Sequence, residues 1–119
     1  MTEEIIGKCL EEAIAAAEAG DRDFFITLES RVNQDTWLQL RWDAINAAYP
    51  HDEEPGRILD ALGIKMPSGV SVEAWEARKF VTFEHGAFPT PPIAQFAHDY
   101  FAKVLKINPS EFTLKIKRE

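Results

Sequence analysis

Four consecutive ionisable residues form the densest group of potential metal ligands in the chain: His51, Asp52, Glu53 and Glu54. Imidazole and carboxylate groups bind zinc or calcium, but both metals need ligands at characteristic spacings. The sequence contains no His-x-x-x-His, Cys-x-x-Cys or calcium-loop pattern. Because the four residues precede a helix predicted to begin at Pro55, we interpret them as a solvated loop whose charges favour the helix end. We therefore expect neither a metal nor a cofactor.

Nucleophilic catalysis would require a serine, threonine or cysteine held beside a base. The single cysteine, Cys9, falls on the apolar stripe of a predicted helix, so we expect a small buried hydrophobe rather than a nucleophile. The serines occupy turn or strand positions, and no glycine-rich phosphate loop is present. We expect that the protein is not an enzyme. A small hydrolase or isomerase that uses His85 or His98 as a base remains an alternative.

Aromatic side chains give a stronger indication of function than the ionisable ones. Trp37, Trp42, Tyr49 and Trp75 fall near predicted strands, and Trp37 and Phe25 are expected to point away from the main apolar face. Such residues are common anchors of protein interfaces. One interpretation is that this second face of the sheet is covered by the chain's own loops or by a partner. The other is that it is an exposed surface that docks another chain, and a homodimer would satisfy both interpretations. The candidate partner-binding residues are Phe25, Trp37, Trp42, Tyr49, Trp75, Asp52, Glu53 and Glu54.

Length and charge set the general class of the protein. A chain of 119 residues predicts one domain that spans 1–119. Residues 1–60 hold 14 acidic and 5 basic residues (net -9), whereas residues 61–119 hold 6 and 8 (net +2). The total of -7 argues against nucleic acid as the partner. The acidic N-terminus, the lack of a membrane-spanning run and the single cysteine predict a cytoplasmic protein without membrane contact.

Three segments have the apolar periodicity of helices. They are Thr2–Ala19, a short segment from Pro55 to Leu62 that Gly63 closes, and Thr90–Lys106. The last helix is expected to lie on a sheet, because two phenylalanines and a tyrosine on one face require an apolar surface. Its stripe comprises Ile93, Phe96, Ala97, Tyr100, Phe101, Val104 and Leu105, and that of the first helix comprises Ile5, Ile6, Cys9, Leu10, Ala13, Ile14 and Ala17.

Alternation of apolar and polar residues predicts the strands. The first strand runs from Asp23 to Val32, with Val32 on its buried side. The second opens at Thr36 with Leu38, Leu40 and Trp42 inward, and its phase changes after Asp43, which a bulge or a short helical turn would explain equally well. Residues 79–85 and 112–117 predict two more strands, the last a lysine-rich edge, and 70–78 is a strand or a turn.

These elements predict an α+β fold, with one antiparallel sheet and amphipathic N-terminal and C-terminal helices packed on it. Parts of the sequence resemble small bacterial proteins related to type III secretion chaperones, over residues 20–119. The segments that carry the resemblance are 45–50, 55–64, Met66-Pro67, Trp75, 80–83, the helix with Ala94-Gln95-Phe96 and Phe101, and the closing strand. The resemblance implies an α+β protein that dimerises, holds partner segments and has no catalytic residues.

The leading hypothesis is a cytoplasmic, bacterial, non-enzymatic and chaperone-like protein that binds another protein through its sheet, either as a monomer or as a homodimer. An alternative of the same binding class is an immunity protein that neutralises a basic toxin. In that case Asp52, Glu53 and Glu54 would cover the toxin's basic site.

Overall fold

The computed structural model describes residues 2–33, 35–86, 90–107 and 114–119. Its elements confirm the predicted α+β class, and among its helices none is long and apolar enough to cross a membrane. In chain order they are α1 (Thr2–Glu18), β1 (Ile26–Ser30), β2 (Trp37–Leu40), β3 (Ala44–Ala48), α2 (Pro55–Ala61), β4 (Ser71–Glu76), β5 (Phe80–Glu84), α3 (Thr90–Asp99), a π-helix (Tyr100–Val104) and β6 (Leu114–Arg118).

The strands form a single antiparallel sheet, as the sequence predicts. Their spatial order is β4-β5-β3-β2-β1-β6, and every neighbouring pair is antiparallel. The closing strand β6 lies at one edge beside β1, which agrees with its lysines, and β4 forms the other edge. Phe112 and Thr113, which the sequence places in the last strand, lie outside the described residues. The region before β5, left open between strand and turn, is the strand β4.

One face of the sheet and two helices enclose the core. Most of the apolar stripe of α1 and that of the C-terminal helix join the sheet residues in a continuous buried cluster, which confirms them as core. Ile14 and Ala17, at the end of the α1 stripe, are only partly buried and lie outside the cluster. Cys9 is part of it, and burial raises the pKa of its thiol, which keeps the sulfur protonated and inert. The sheet contributes Ile26, Leu28, Leu38, Leu40, Ile45, Ala47, Val81 and Phe83 to this cluster.

The change of phase after Asp43 is a hairpin, so both the bulge and the helical turn were wrong. Arg41 N–H donates to the Ala44 carbonyl at 2.9 Å, which leaves Trp42 and Asp43 as a two-residue turn between β2 and β3. The chain therefore reverses, and Trp42 lies in a turn rather than inward on a strand. The hairpin was missed because two-residue turns usually contain glycine or asparagine, and a tryptophan is an unusual turn residue.

The first strand is shorter than its alternation predicts. It ends at Ser30, whose hydroxyl accepts hydrogen bonds from the N–H groups of Val32 and Asn33 at 3.3 and 3.2 Å. This side-chain turn replaces the ladder that would have continued the strand. Val32 is consequently 91% exposed, and its predicted burial is wrong.

The C-terminal helix changes its geometry midway instead of continuing as a regular α-helix to Lys106. After α3 the backbone forms a π-helix, with Leu105 N–H donating to the Tyr100 carbonyl at 3.1 Å. The wider turn keeps Tyr100, Phe101 and Val104 buried together. Turns of this kind occur frequently at functional sites, and this one ends beside a cavity that Val104, Leu105 and Lys106 line.

Candidate functional site

Five of the eight predicted partner-binding residues lie together around the ring of Tyr49. The ring of Trp75 stands edge-on to it, with centroids 6.0 Å apart and an interplanar angle of 85°. The Tyr49 hydroxyl donates a hydrogen bond to the carbonyl of Glu53, which fixes the loop that carries Asp52 and Glu54. The acidic loop and two of the predicted aromatic anchors are therefore one structural unit.

Tyr49 is the fixed centre of this unit. Its side chain is 2% exposed, because it leaves the end of β3 and packs beneath the loop and the edge of the sheet. Burial first, and then the charges of the neighbouring carboxylates, raise the pKa of its phenol. The hydroxyl therefore stays protonated and remains a hydrogen-bond donor at neutral pH.

A cavity of about 560 Å³ separates α2 from β4, and we call it the α2–β4 cleft. The charged residues among its described lining are Glu54 and Glu73, on its rim. Its volume lies in the range of ligand-binding clefts. Its apolar lining consists of Pro55, Met66, Val70, Val72 and Trp75.

The β4 strand offers this cleft together with a free sheet edge. β4 is the last strand of the sheet on its side, and a register shift between Val72 and Ala74 interrupts its pairing with β5. Trp75 is 39% exposed, which makes it one of the few large apolar side chains in the described part of the chain that face solvent. An open edge of this kind is a template for another strand.

The predicted acids have different environments. Both carboxylate oxygens of Asp52 accept hydrogen bonds from the Arg78 guanidinium at 2.8 Å, and this pairing lowers the pKa of Asp52. Glu54 is the residue before α2, but its side chain does not cap the helix. Its carboxylate lines the α2–β4 cleft instead. Of the three predicted acids, Asp52 is thus already neutralised, whereas Glu54 faces the cleft.

Trp37 lies apart from the α2–β4 cleft and lines a second cavity, described further below. Phe25 and Trp42 do not join either site. Trp42 packs under the guanidinium of Arg22, whose central carbon lies 5.3 Å from the ring centroid, and the Phe25 carbonyl accepts a hydrogen bond from Glu119. Both residues belong to the opposite end of the sheet, where β2 turns into β3.

The sheet face away from the helices is polar along its middle. In that row the Thr82 hydroxyl donates to the Asn46 side-chain oxygen, and the Asn46 amide donates to Gln39 at 3.5 Å. These residues are paired across β2, β3 and β5. Because the row uses its hydrogen-bonding groups internally, it is a poorer docking surface than the aromatic edge at Trp75.

The two histidines proposed as bases lie outside both cavities. His98 is next to Asp99 on the helix, with its Nδ1 at 3.5 Å from the carboxylate. His85 is 2% exposed, and its ring nitrogens have no hydrogen-bond partner in the described part of the chain. Burial lowers its pKa, against the opposing effect of nearby backbone carbonyls and Asp43. Among the described residues, no group of three or more histidine, cysteine or acidic side chains is placed to hold a metal.

Buried His85 is expected to make the protein less stable as the pH falls below neutrality. Its pKa in the folded state lies below the ordinary 6.5, so the unfolded chain binds the proton first. Between the two pKa values, the free energy of unfolding falls with decreasing pH by at most about 1.4 kcal/mol per pH unit. Urea unfolding between about pH 7 and pH 5 measures this slope.

The variant His85→Gln is the control for that experiment, and its slope should be clearly shallower. Glu12 and Asp52, whose pKa values are lowered from 4.5 and 3.8, lose their stabilising contribution mainly below this pH window, and they do so equally in both proteins. Equal slopes for the two proteins would show that His85 does not contribute to the pH dependence.

Comparison with known proteins returns no matching family model, no matching curated protein and no matching solved structure. The features of the molecule that indicate a function are a free strand edge, an apolar cleft beside it and carboxylates on the rim of that cleft.

Proposed function

We propose that this protein is a non-enzymatic, chaperone-like binding module that holds a segment of another protein along β4 and the α2–β4 cleft. The observation that carries the proposal is the position of Trp75. Its ring is partly exposed, stands against the buried Tyr49 and lines the apolar cleft beside an unpaired strand edge. A large ring that is fixed from behind and open in front is a typical interface anchor.

The free edge indicates how the partner segment would bind. An extended chain that adds a strand to β4 would satisfy the outward N–H and C=O groups of that strand. Alternate side chains of such a segment point to one face of the sheet. Every second side chain would therefore face the α2–β4 cleft, and the one nearest Trp75 would contact its ring.

The charges of the cleft define the chemistry of the segment. Glu54 and Glu73 line it, and the whole chain carries a net charge of -7. Complementary charge raises association rates and selects partners. The partner segment would therefore carry apolar residues for the cleft, flanked by lysine or arginine.

Trp75→Ala is expected to weaken binding of this segment at least tenfold, because a central aromatic anchor is lost. Affinity capture from the native host with the wild-type protein identifies the partner, and titration of the purified partner segment then measures the dissociation constant. Trp42→Ala is the matched control, because this tryptophan packs under Arg22 at the opposite end of the sheet. Its affinity should stay within about twofold of the wild type.

The charge of the rim provides a second, independent measurement. Glu54→Lys combined with Glu73→Lys should weaken binding and reduce its dependence on salt. Loss of affinity in this pair with full retention in Trp75→Ala would favour an immunity protein, in which acids alone cover a basic toxin. If Trp75→Ala and the double lysine variant both keep the affinity of the wild type, the proposed site is wrong. Light scattering of the free protein tests whether a second copy pairs along β4.

A further inference from the structure

The second cavity has a lining that is rich in basic residues. It measures about 670 Å³ and lies at the end of the sheet where β3 and the π-helix terminate. Three permanent cations line it, Arg78, Lys79 and Lys106, against a single carboxylate among its described lining, Asp35. We call this cavity the basic cleft. Carboxylates outside the lining pair with two of these cations, Asp52 with Arg78 and Glu76 with Lys79, so the cluster of basic side chains rather than a net charge distinguishes this cavity.

Two of these cations have a strained backbone. Arg78 and Lys106 have φ of 60° and 57°, and they are the only non-glycine residues with positive φ in the described parts of the chain. The left-handed region suits glycine and disfavours residues with a Cβ. Strain that persists in a structure is concentrated at functional sites. That both strained residues are basic and line the same cleft indicates a use for their side chains.

Local structure explains why each position adopts a left-handed conformation. Arg78 lies in the three-residue loop between β4 and β5, where such hairpins favour glycine, and its N–H donates to the His51 carbonyl at 3.0 Å. Lys106 follows the π-helix, and the next N–H, of Ile107, donates to the Phe101 carbonyl at 3.1 Å. Glycine is also the usual residue just beyond a helix end. Glycine would satisfy both backbones, but it would supply no charge.

The other residues that line the basic cleft include an indole ring and an imidazole ring. Trp37 is half-buried and lines the basic cleft beside Tyr49. His51 also lines it, and its Nε2 is buried without a hydrogen-bond partner in the part of the chain that the structure describes. A buried polar atom of this kind requires a partner such as water or a ligand.

We propose that the basic cleft binds a small phosphate monoester carried on a flat ring, with the size of a mononucleotide. The phosphate would lie among Arg78, Lys79 and Lys106, and the ring would stack on Trp37. The ion pairs of Arg78 with Asp52 and of Lys79 with Glu76 are exposed, so exchanging them for a phosphate costs little. No described carboxylate pairs with Lys106. This inference does not depend on the binding of a protein segment along β4.

The test is isothermal titration of the purified protein with adenosine monophosphate, inorganic phosphate and adenosine. Saturable binding is expected for the monophosphate, at least about fivefold tighter than for either fragment. Absence of saturable binding for all three probes would overturn the proposal. Equal affinities for inorganic phosphate and adenosine monophosphate would contradict the part of the proposal that the ligand carries a ring.

Glycine variants separate a ligand site from a purely structural role. Arg78→Gly and Lys106→Gly should each weaken binding of the monophosphate at least about fivefold, because a charged donor is lost. Relief of the left-handed backbone should leave the melting temperature unchanged or raise it. Lys103→Gln is the control, because Lys103 is exposed on the π-helix but does not line the cleft. The site would be contradicted if Lys103→Gln lost as much affinity as the glycine variants. Lower melting temperatures in both glycine variants would also contradict it.

Discussion

Replacing Phe83 with alanine is expected to lower the free energy of unfolding by about 3–5 kcal/mol. The side chain is 1% exposed and lies where β5 meets the C-terminal helix. Its ring stands edge-on to Phe96 and Tyr100, with centroids 4.9 and 5.8 Å away. It also lies opposite Ile45 in the sheet. Truncation therefore removes contacts of the sheet with the helix and leaves a cavity that the close-packed surroundings cannot fill.

Phe80→Ala is the matched control for this prediction. Phe80 begins the same strand, but it is only partly buried and does not belong to the core cluster. Its truncation should cost clearly less, about 1–2 kcal/mol. Urea unfolding followed by circular dichroism gives both values. Equal losses for the two variants would show that β5 is stabilised by its strand pairing rather than by the packing of Phe83.

The parts of the fold that the sequence predicts are those with a clear period. The stripes of α1 and of the C-terminal helix repeat over several turns, so the buried positions Ile6, Leu10, Phe96 and Phe101 are confirmed. The cap of α2 is equally local: Gly63 has φ of 71°, and Ile64 N–H donates to the Leu59 carbonyl at 2.9 Å.

Structural features that depend on a few residues, or on contacts between distant parts of the chain, could not be predicted from the sequence. The turn at Trp42 and Asp43 lacks glycine, so the pattern showed a change of phase but not a reversal of the chain. The end of β1 depends on the Ser30 hydroxyl, which overrides the apolar Val32. The apolar stripe of the C-terminal helix did not reveal the π-helix. A π-helix adds one residue to a helical turn, so the set of side chains that faces the core changes only after that turn.

The candidate site was predicted in part. Aromatic and acidic residues near the strands indicated an interface, and the structure brings Tyr49, Trp75 and the acidic loop together. The basic cleft was missed, because its cations come from the β4–β5 loop and from the end of the helix, far apart in sequence. The left-handed Arg78 and Lys106 also lack the glycine that would mark such positions in a sequence.

The two clefts are connected through the ring contact between Tyr49, which lines the basic cleft, and Trp75, which lines the α2–β4 cleft. Tyr49 stands against Trp75 on one side and lines the basic cleft on the other. Ala48 lines the basic cleft as well, and its carbonyl accepts a hydrogen bond from the Tyr100 hydroxyl at 2.7 Å. The first residue of the π-helix is thus joined directly to the end of β3, beside the basic cleft.

Tyr100→Phe is accordingly expected to lower the free energy of unfolding by about 1–3 kcal/mol. The change removes only the hydroxyl, and the Ala48 carbonyl loses this buried donor. Tyr100 is 1% exposed, and burial raises the pKa of its phenol, so the hydroxyl donates throughout the neutral range. Urea unfolding measures the loss.

Tyr49→Phe is the matched control for Tyr100→Phe. Its hydroxyl donates to the carbonyl of Glu53, an exposed loop residue whose carbonyl can accept from water instead. The cost should therefore stay below about 1 kcal/mol, although both tyrosines are buried. If Tyr100→Phe costs no more than Tyr49→Phe, the buried hydrogen bond does not hold the π-helix on β3. The position of the π-helix beside the basic cleft would then depend on apolar packing alone.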